Sequence, residues 1–550
     1  MVEFNYRDIY KINGDNNKYH LVTDKFVSLE QFDGKQILVI DPAGLTLLAQ
    51  KAFRDLGHLM KPCNLKLLVK IIDDPESSDN DRYVAYEMLR NAVIAAEGEF
   101  PLSQDTGTAT IIGKKGQRVW TGSSDEEALE QGVYNAYTKY NFRYSQYAPV
   151  SFFLEKKTKG NIPAQIELKT DLGDEYNFIF IAKSSATANK TFLYQETKAI
   201  LNPEKMFDFM ASKIRTLGTA GCPPYHIAFV VGGTSVEANL STVKMAVSGY
   251  LDDLPAKPDG KVYAIRCRDI EKQLLKFSNG LGIGAQFGGK YFCHDCRVIR
   301  LPRHGGSCPI GLGISSCLDR DIKGKITKKG IYLEDLEQEP EKYLPRLPIK
   351  YDNFVRVDLS KPMDEIRKFL SQIPVATRLL LTGKIVVARD VAHYRIRERV
   401  FNGEELPWYL REHVLYYAGP SKTPKGYAAG SFGPTAGGRM DPYVPVFQQH
   451  GGSLITIAKG NRSKGFAESC KKYKGFYLCC LGGMAATLGR ECFKDLKILE
   501  YPELRMAAVF MATVKDFPTF LAVDDKGNDF FEQSLKLPYA FSVKPHVQAS

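Results

Sequence analysis

Several glycine-containing tracts of the 550-residue chain carry polar side chains that could bind or transform a small ligand. Gln104 and Asp105 precede Gly107, where the backbone can approach a ligand closely, although an Asx-capped turn would explain the same residues. Cys222 lies at a proline-rich turn before an apolar run, where a reactive thiol and a buried structural cysteine are both reasonable. His304 lies in a loop rich in glycine and arginine, and a structural role stays open for it as well.

Cationic side chains in the second half of the chain indicate an anionic ligand. Arg389 follows an apolar run, whereas Arg439 and Lys459 lie in glycine-rich loops. Arginine binds a carboxylate through two parallel hydrogen bonds, and lysine acts as a compact point charge. A dicarboxylate would need such cations from several loops, although each residue alone would also be ordinary at a protein surface.

The 11 cysteines are too few for a disulfide framework, but they suffice for a metal or iron–sulfur site. Cys293 and Cys296 form a CxxC pair around a histidine. Zinc needs a second pair of ligands, and the adjacent Cys479 and Cys480 are poorly spaced for that role. A zinc site is therefore the less favoured interpretation.

Composition limits the class of protein. The net charge is 74 − 63 = +11, and 44% hydrophobic residues are typical of an ordinary globular protein. The basic runs are short and lack interleaved aromatic residues, so we expect no nucleic-acid partner. No run of about 20 apolar residues and no targeting segment occur, so we expect a cytoplasmic protein with no membrane contact.

Strand and helix signals alternate along the chain, which predicts an α/β fold. An acidic, proline-rich stretch predicts a linker over residues 336–360. It would join an N-terminal α/β domain (1–335) to a C-terminal α/β domain (361–550), with the active site between them. The local patterns predict strands at 36–40, 226–231, 378–382, 385–387, 453–457 and 476–480, and helices at 44–56, 79–96 and 123–140.

The polar tracts resemble those of the class I fumarate hydratases, the iron–sulfur fumarases, over nearly the full length of the chain. The matching segments are residues 104–109, 114–122, 218–220, 222–230, 284–292, 299–305 and 458–463. The resemblance implies a two-domain enzyme, active as a homodimer, that interconverts fumarate and L-malate. It also implies a [4Fe–4S] cluster held by three cysteines, whose fourth iron assists the elimination of water.

The resemblance also implies roles for individual residues. Asp105 and Thr435 would transfer protons, and Arg439 would help to activate the Thr435 hydroxyl. The cations would hold the two carboxylates of the substrate and stabilise the charge that develops when a proton leaves carbon. The implied substrate contacts are Gln104, Arg143, Ala186, His304, Arg389 and Lys459.

The three cluster positions depart from the family. Only Cys222 is a cysteine, whereas Ser103 and Ser316 stand at the other two positions, with Cys317 beside Ser316 as a substitute thiol. Serine is a harder and less acidic ligand than cysteine, so cluster retention is in doubt. Two interpretations stay open: a working hydratase with an unusual cluster, or a non-catalytic paralogue that binds dicarboxylates or pairs with an active subunit. Hydro-lyase activity on a related 2-hydroxy diacid, such as tartrate, is a third.

Overall fold

The computed structural model describes residues 4–10, 17–346 and 353–535 and shows a mixed α/β architecture with three large sheets. Two of these sheets lie in the first 335 residues. The six-stranded sheet has the order Tyr19–Thr23, Gly330–Glu334, Asp321–Thr327, Tyr176–Lys183, Thr108–Gly116, Gln165–Asp171. The five-stranded sheet has the order Phe192–Glu196, Cys308–Ser315, Tyr225–Gly233, Cys293–Arg303, Ile265–Arg266.

The third large sheet belongs to the second half of the chain and has seven strands. Its first five strands run parallel, and the long strand Val509–Val523 is antiparallel to the strands it contacts. The order is Phe354–Asp358, Arg378–Val387, Val414–Tyr416, Ile455–Ala458, Phe476–Cys479, Val509–Val523, Phe493–Glu500. Smaller sheets contain Val27–Phe32, Lys35–Ile40 and Val119–Trp120, and Tyr147–Pro149 with Glu155–Lys157.

Local sequence signals explain where several helices begin. Ser78 caps the helix Asp79–Ala96 by accepting a hydrogen bond from the backbone N–H of Asp81 at 2.9 Å. Ser124 caps Asp125–Lys139 in the same way. The other α-helices are Pro42–His58, Pro62–Asp73, Ser185–Ala188, Pro203–Arg215, Val236–Val247, Arg268–Asn279, Met363–Ser371, Asp390–Phe401, Trp408–Glu412, Val444–Gln449, Lys464–Tyr473, Ala485–Thr487 and Phe530–Leu535.

One apolar core joins the two halves of the chain. Side chains of the early helices, such as Leu68 and Met88, pack in the same buried cluster as Leu381 and Val386 of the seven-stranded sheet. Burying apolar surface stabilises this packing by roughly 25 cal/mol per Å². The core therefore fixes the loops of the N-terminal half over one edge of the C-terminal sheet.

The predicted linker contains ordered elements. Pro340–Tyr343 forms a short 3-10 helix, and Phe354–Asp358 is the first strand of the seven-stranded sheet. The linker's residues 347–352 lie outside the described part of the chain. The division into domains at 336–360 stays a prediction. The two strands predicted at 378–382 and 385–387 are one continuous strand, Arg378–Val387.

In the described ranges, no helix combines the length and the apolar character that crossing a membrane requires.

Candidate active site

One cleft gathers most of the residues that the sequence singled out. Both halves of the chain contribute to its wall. The candidate residues that line it are Ser103, Gln104, Asp105, Arg143, Ala186, Cys222, Ser316, Arg389, Thr435, Arg439 and Lys459. Residues more than 300 positions apart in sequence therefore meet at one place.

The C-terminal contributions follow the carboxyl ends of parallel strands. Arg389 comes after the strand Arg378–Val387, and Lys459 comes directly after Ile455–Ala458. The carboxyl ends of neighbouring parallel strands lie at one edge of a sheet, which is the usual place for ligands in open α/β sheets. Thr435 joins this edge through two backbone hydrogen bonds, to Tyr417 at 2.7 Å and from Lys459 at 3.0 Å.

The N-terminal contributions come from loops at one end of the six-stranded sheet. Asp105 precedes the strand Thr108–Gly116, and Ala186 follows the neighbouring strand Tyr176–Lys183. The register places Thr108 opposite Lys183, so the two loops lie side by side. The third loop, which carries Ser316, joins the six-stranded and five-stranded sheets.

The Asp105 carboxylate is held in its ionised form. It accepts hydrogen bonds from the backbone N–H and the hydroxyl of Ser185, both at 2.9 Å, and lies 3.2 Å from Arg143. Burial alone would raise the pKa of Asp105. Arg143, Ser185 and the nearby Arg320 outweigh that effect and hold the pKa well below its usual range.

Three guanidinium groups form what we call the arginine end of the cleft: Arg143, Arg389 and Arg439. The Arg143 guanidinium donates to the carbonyl of Gly419 at 2.9 Å and so ties the two halves of the chain together. Burial, followed by the positive charge of Arg143, lowers the pKa of Arg389 to about 10. Closely spaced cations, each of which disfavours the charged form of its neighbour, are typical of a site that binds an anion.

The structure gives a different partner for Arg439 from the one that the resemblance implied. Its guanidinium donates to the Asp390 carboxylate at 2.9 Å. Within the described chain, no hydrogen bond joins Arg439 to the Thr435 hydroxyl. The pairing with Asp390 engages one of the five N–H donors of Arg439, so the role of Arg439 in activating Thr435 stays a prediction.

The other end of the cleft, which we call the donor end, comprises Ser103, Cys222, Ser316, Lys459 and Arg320. The Lys459 ammonium donates to the Cys222 sulfur at 2.7 Å. Cys222 has φ = +66°, a left-handed conformation that costs a non-glycine residue energy and that clusters at functional sites. A glycine, Gly482, faces this thiol, because a Cβ there would lie only 2.4 Å from the sulfur.

The donor end does not fit a cluster held by three thiolates. One thiol and two hydroxyls, those of Ser103 and Ser316, face the cleft. Both serine oxygens accept backbone N–H groups, from Asp105 at 3.3 Å and from Leu318 at 3.4 Å. The described residues contain no group of three or more His, Cys, Asp or Glu side chains placed to hold a metal ion. Hard, weakly acidic hydroxyls are poor ligands for iron in a [4Fe–4S] cluster.

Two of the candidate residues do not line the cleft. Cys317 is buried beside it, with its backbone N–H donating to the Cys222 carbonyl at 3.1 Å and its sulfur packed close to Gly483. Burial, followed by the neighbouring Cys222, raises the pKa of Cys317, which disfavours a thiolate. His304 lies exposed in the turn between the strands Cys293–Arg303 and Cys308–Ser315, away from the cleft of its own chain.

Three further buried cysteines also lie elsewhere, namely Cys293 and Cys296 of the CxxC pair and Cys308. Cys293 is buried against Ser278, with the sulfur 2.8 Å from the hydroxyl oxygen. Cys296 and Cys308 are buried in the five-stranded sheet. None of these three thiols is on the wall of the cleft.

Sequence reasoning missed Arg320 as a cleft residue. Arg320 is 8% exposed as a residue, and its guanidinium donates no hydrogen bond to any residue that the structure describes. Arg320 stands four residues after Ser316, so the one signal in the sequence was a positive charge close to a predicted ligand position. A second space of about 360 Å³ adjoins the cleft and shares Ser184, Ser316 and Arg320 with it.

Comparisons with known proteins cover nearly the whole chain. A family model for fumarate hydratase (Fumerase) matches residues 46–325, and one for the fumarase C-terminus matches residues 330–534. The "Fumarate hydratase class I, aerobic" of Escherichia coli (strain K12) is 54% identical over 532 residues, covering 96% of this chain and 97% of that protein. "Fumarate hydratase 2" of Leishmania major is 52% identical over 515 residues, covering 93% of this chain and 91% of that protein.

A more distant similarity covers only part of the chain. The "Putative L(+)-tartrate dehydratase subunit beta" of Methanocaldococcus jannaschii is 32% identical over 177 residues, covering 32% of this chain and 91% of that subunit. The full-length similarities and the two family models together establish the family. The chain belongs to the class I fumarate hydratases.

Proposed function

We propose that the chain is a hydro-lyase that adds water to fumarate to give L-malate and catalyses the reverse elimination. The observation that carries this proposal is the convergence, in one cleft, of the arginine end with the ionised Asp105 and the Thr435 hydroxyl. A linear dianion with carboxylates at both ends complements cations that come from several loops. The family of the chain supports the same substrate.

The arginine end would bind and orient the substrate. Guanidinium groups of Arg143 and Arg389 would each engage a carboxylate oxygen, and the Gln104 amide, which donates to the Pro434 carbonyl at 3.2 Å, would position the loop of Asp105. When a proton leaves the carbon next to a carboxylate, negative charge moves onto that carboxylate. Fixed cations already in place stabilise this charge without reorganisation.

Substrate binding would change the basicity of Asp105. In the free protein Arg143 and Ser185 hold its pKa low, so it is a weak base. A substrate carboxylate that pairs with Arg143 would compete for this cation and bring a second negative charge close to Asp105. Both effects raise the pKa of Asp105 toward a value suited to proton transfer with Thr435.

Binding without turnover is a second candidate, and the donor end favours it. The donor set of one thiol and two hydroxyls departs from the three cysteines that the family resemblance implies. Such a protein would keep the dicarboxylate site while lacking the group that assists the departure of hydroxide. The test follows malate dehydration through the ultraviolet absorbance of fumarate, beside calorimetric titration of malate into the same anaerobic sample.

Turnover of malate that is lost in Asp105→Asn would support the hydratase. Binding of malate with no turnover would support the second candidate, and the absence of both would refute both. L-tartrate is assayed in parallel, because a rate on tartrate above that on malate would change the substrate to a related 2-hydroxy diacid. A matched control, Arg490→Gln, changes a surface arginine that pairs with Glu97 at 2.7 Å and should alter neither readout.

The proposal also includes a homodimer and a substrate contact by His304, and the second depends on the first. His304 lies exposed in a turn, and its own chain does not bring it to the cleft. It could contact substrate only in the cleft of a second copy. Light scattering tests the dimer, and a His304→Asn variant that keeps malate affinity would remove this residue from the site.

A further inference from the structure

We propose that the donor end of the cleft is a subsite for a third anionic group, so that the cleft takes a tricarboxylate in addition to a dicarboxylate. This inference rests on the proposed function for the arginine end. It assigns a use to cations and hydroxyls that a dicarboxylate held by the arginine end leaves unengaged.

Arg320 is the first element of this subsite. Arg320 is 8% exposed as a residue, and its guanidinium makes no hydrogen bond within the described ranges, although it carries five N–H donors. Buried polar groups are normally paired, and an unpaired buried cation is costly. Burial lowers the pKa of Arg320, and the carboxylate of Asp105 offsets part of that effect. A bound anion would satisfy the guanidinium directly.

Lys459 and the two serines supply further donors. The Lys459 ammonium, which is 7% exposed as a residue, has three donors and one described hydrogen bond, to the Cys222 sulfur. The hydroxyls of Ser103 and Ser316 accept backbone N–H groups, so their own protons remain free to donate. The guanidinium of Arg320, the two remaining donors of Lys459 and the two serine hydroxyls together match the needs of a carboxylate.

The acidic side chains nearby do not occupy this subsite. Asp105 already pairs with Arg143 and Ser185. Asp319 and Asp321 line the adjoining space instead. Asp105 is the one carboxylate among the described residues that line the cleft, so an anion is favoured at the donor end.

A matched pair of probes tests the proposal on the full-length protein. Propane-1,2,3-tricarboxylate is succinate with one additional carboxymethyl group, so the ratio of their dissociation constants reports the contribution of that group. By titration calorimetry we expect the tricarboxylate to bind at least about tenfold more tightly than succinate, since a charge-assisted hydrogen bond contributes this much or more.

Variants test whether the preference for the tricarboxylate arises at the donor end. Arg320→Gln should bring the ratio close to one, Arg320→Lys should retain part of the preference, and Arg490→Gln should leave it unchanged. If Arg320→Gln fails to fold, the double variant Ser103→Ala, Ser316→Ala tests the same end by removing both hydroxyls, and the ratio should fall.

Equal affinity for the two probes, with succinate bound, would overturn the subsite and leave the proposed function standing. A wild-type ratio that Arg320→Gln does not change would also overturn it. So would about four iron atoms per chain after anaerobic reconstitution of the wild type, because a cluster would then fill the donor end. Failure of dicarboxylate binding at the arginine end, on which the proposed function rests, gives a different result, the absence of succinate binding.

Discussion

Replacing Arg389 by glutamine should stabilise the ligand-free protein while weakening dicarboxylate binding. Burial, followed by the charge of Arg143, lowers the pKa of Arg389 from its ordinary value to about 10. The group remains charged at neutral pH, so the lowered pKa measures how strongly the fold disfavours that charge. The full shift corresponds to about 3 kcal/mol, and partial exposure to the cleft reduces the expected gain on removing the charge to about 1–2 kcal/mol.

The same substitution removes a cation from the arginine end. A charge-assisted hydrogen bond to a carboxylate contributes about 1.5–3 kcal/mol, which corresponds to a rise of about 10- to 100-fold in the dissociation constant of malate. Stability and binding should therefore change in opposite directions. An arginine that only supports the fold would lower both when replaced.

Thermal unfolding with and without malate, together with titration calorimetry, measures both effects. The apparent melting temperature of ligand-free Arg389→Gln should exceed that of the wild type, and the rise caused by malate should shrink. Arg490→Gln is the control: it breaks a surface pair with Glu97, so stability should fall by less than about 1 kcal/mol and affinity should not change. A lower melting temperature for Arg389→Gln, or unchanged malate affinity, would refute the reasoning.

Two further predictions concern the walls of the cleft. Gly482→Ala would place a Cβ 2.4 Å from the Cys222 sulfur, so we expect a loss of about 1–3 kcal/mol in stability and weaker malate binding by calorimetry. Gly465→Ala is the control, because a Cβ at Gly465 would have no atom within 4 Å, and it should preserve the affinity for malate. Asp105→Asn should abolish malate dehydration in the absorbance assay. Because the pKa of Asp105 is lowered in the fold, its stabilising charge is present above its unfolded value of 3.8 and is lost as the pH falls toward the folded value. The stability difference between Asp105→Asn and the wild type should therefore stay constant from about pH 5 to pH 9 in urea titrations and shrink in stronger acid.

Local signals in the sequence were sufficient for many individual elements. The helix Asp79–Ala96 has the predicted bounds, because its cap and its apolar spacing lie within one continuous segment. The order of strands within the sheets was not predictable in this way. Asp321–Thr327 lies between Tyr176–Lys183 and Gly330–Glu334, and pairing over about 150 residues leaves no periodic mark in either strand.

In the candidate site, too, some features could be predicted from the sequence and others are visible only in the fold. The resemblance supplied the residues of the arginine end, and the structure brings them into one cleft, although their roles stay predictions. Arg320 was missed because the burial of a guanidinium and its lack of partners are properties of the folded chain. The pairing of Arg439 with Asp390 was equally hidden, since a carboxylate 49 positions away becomes a neighbour only through the fold.

The chain departs most from its family at the donor end, where Ser103 and Ser316 stand at two of the three cysteine positions. The iron content of the protein tests the consequence of this departure directly. The wild type and the double variant Ser103→Cys, Ser316→Cys are reconstituted anaerobically with iron and sulfide, and iron is measured per chain. We expect the wild type to hold far less than a full cluster and the double variant to approach about four iron atoms, because three thiolates would then face the cleft. About four iron atoms in both proteins would contradict the account. One thiol and two hydroxyls would then hold the cluster no less effectively than three thiols do.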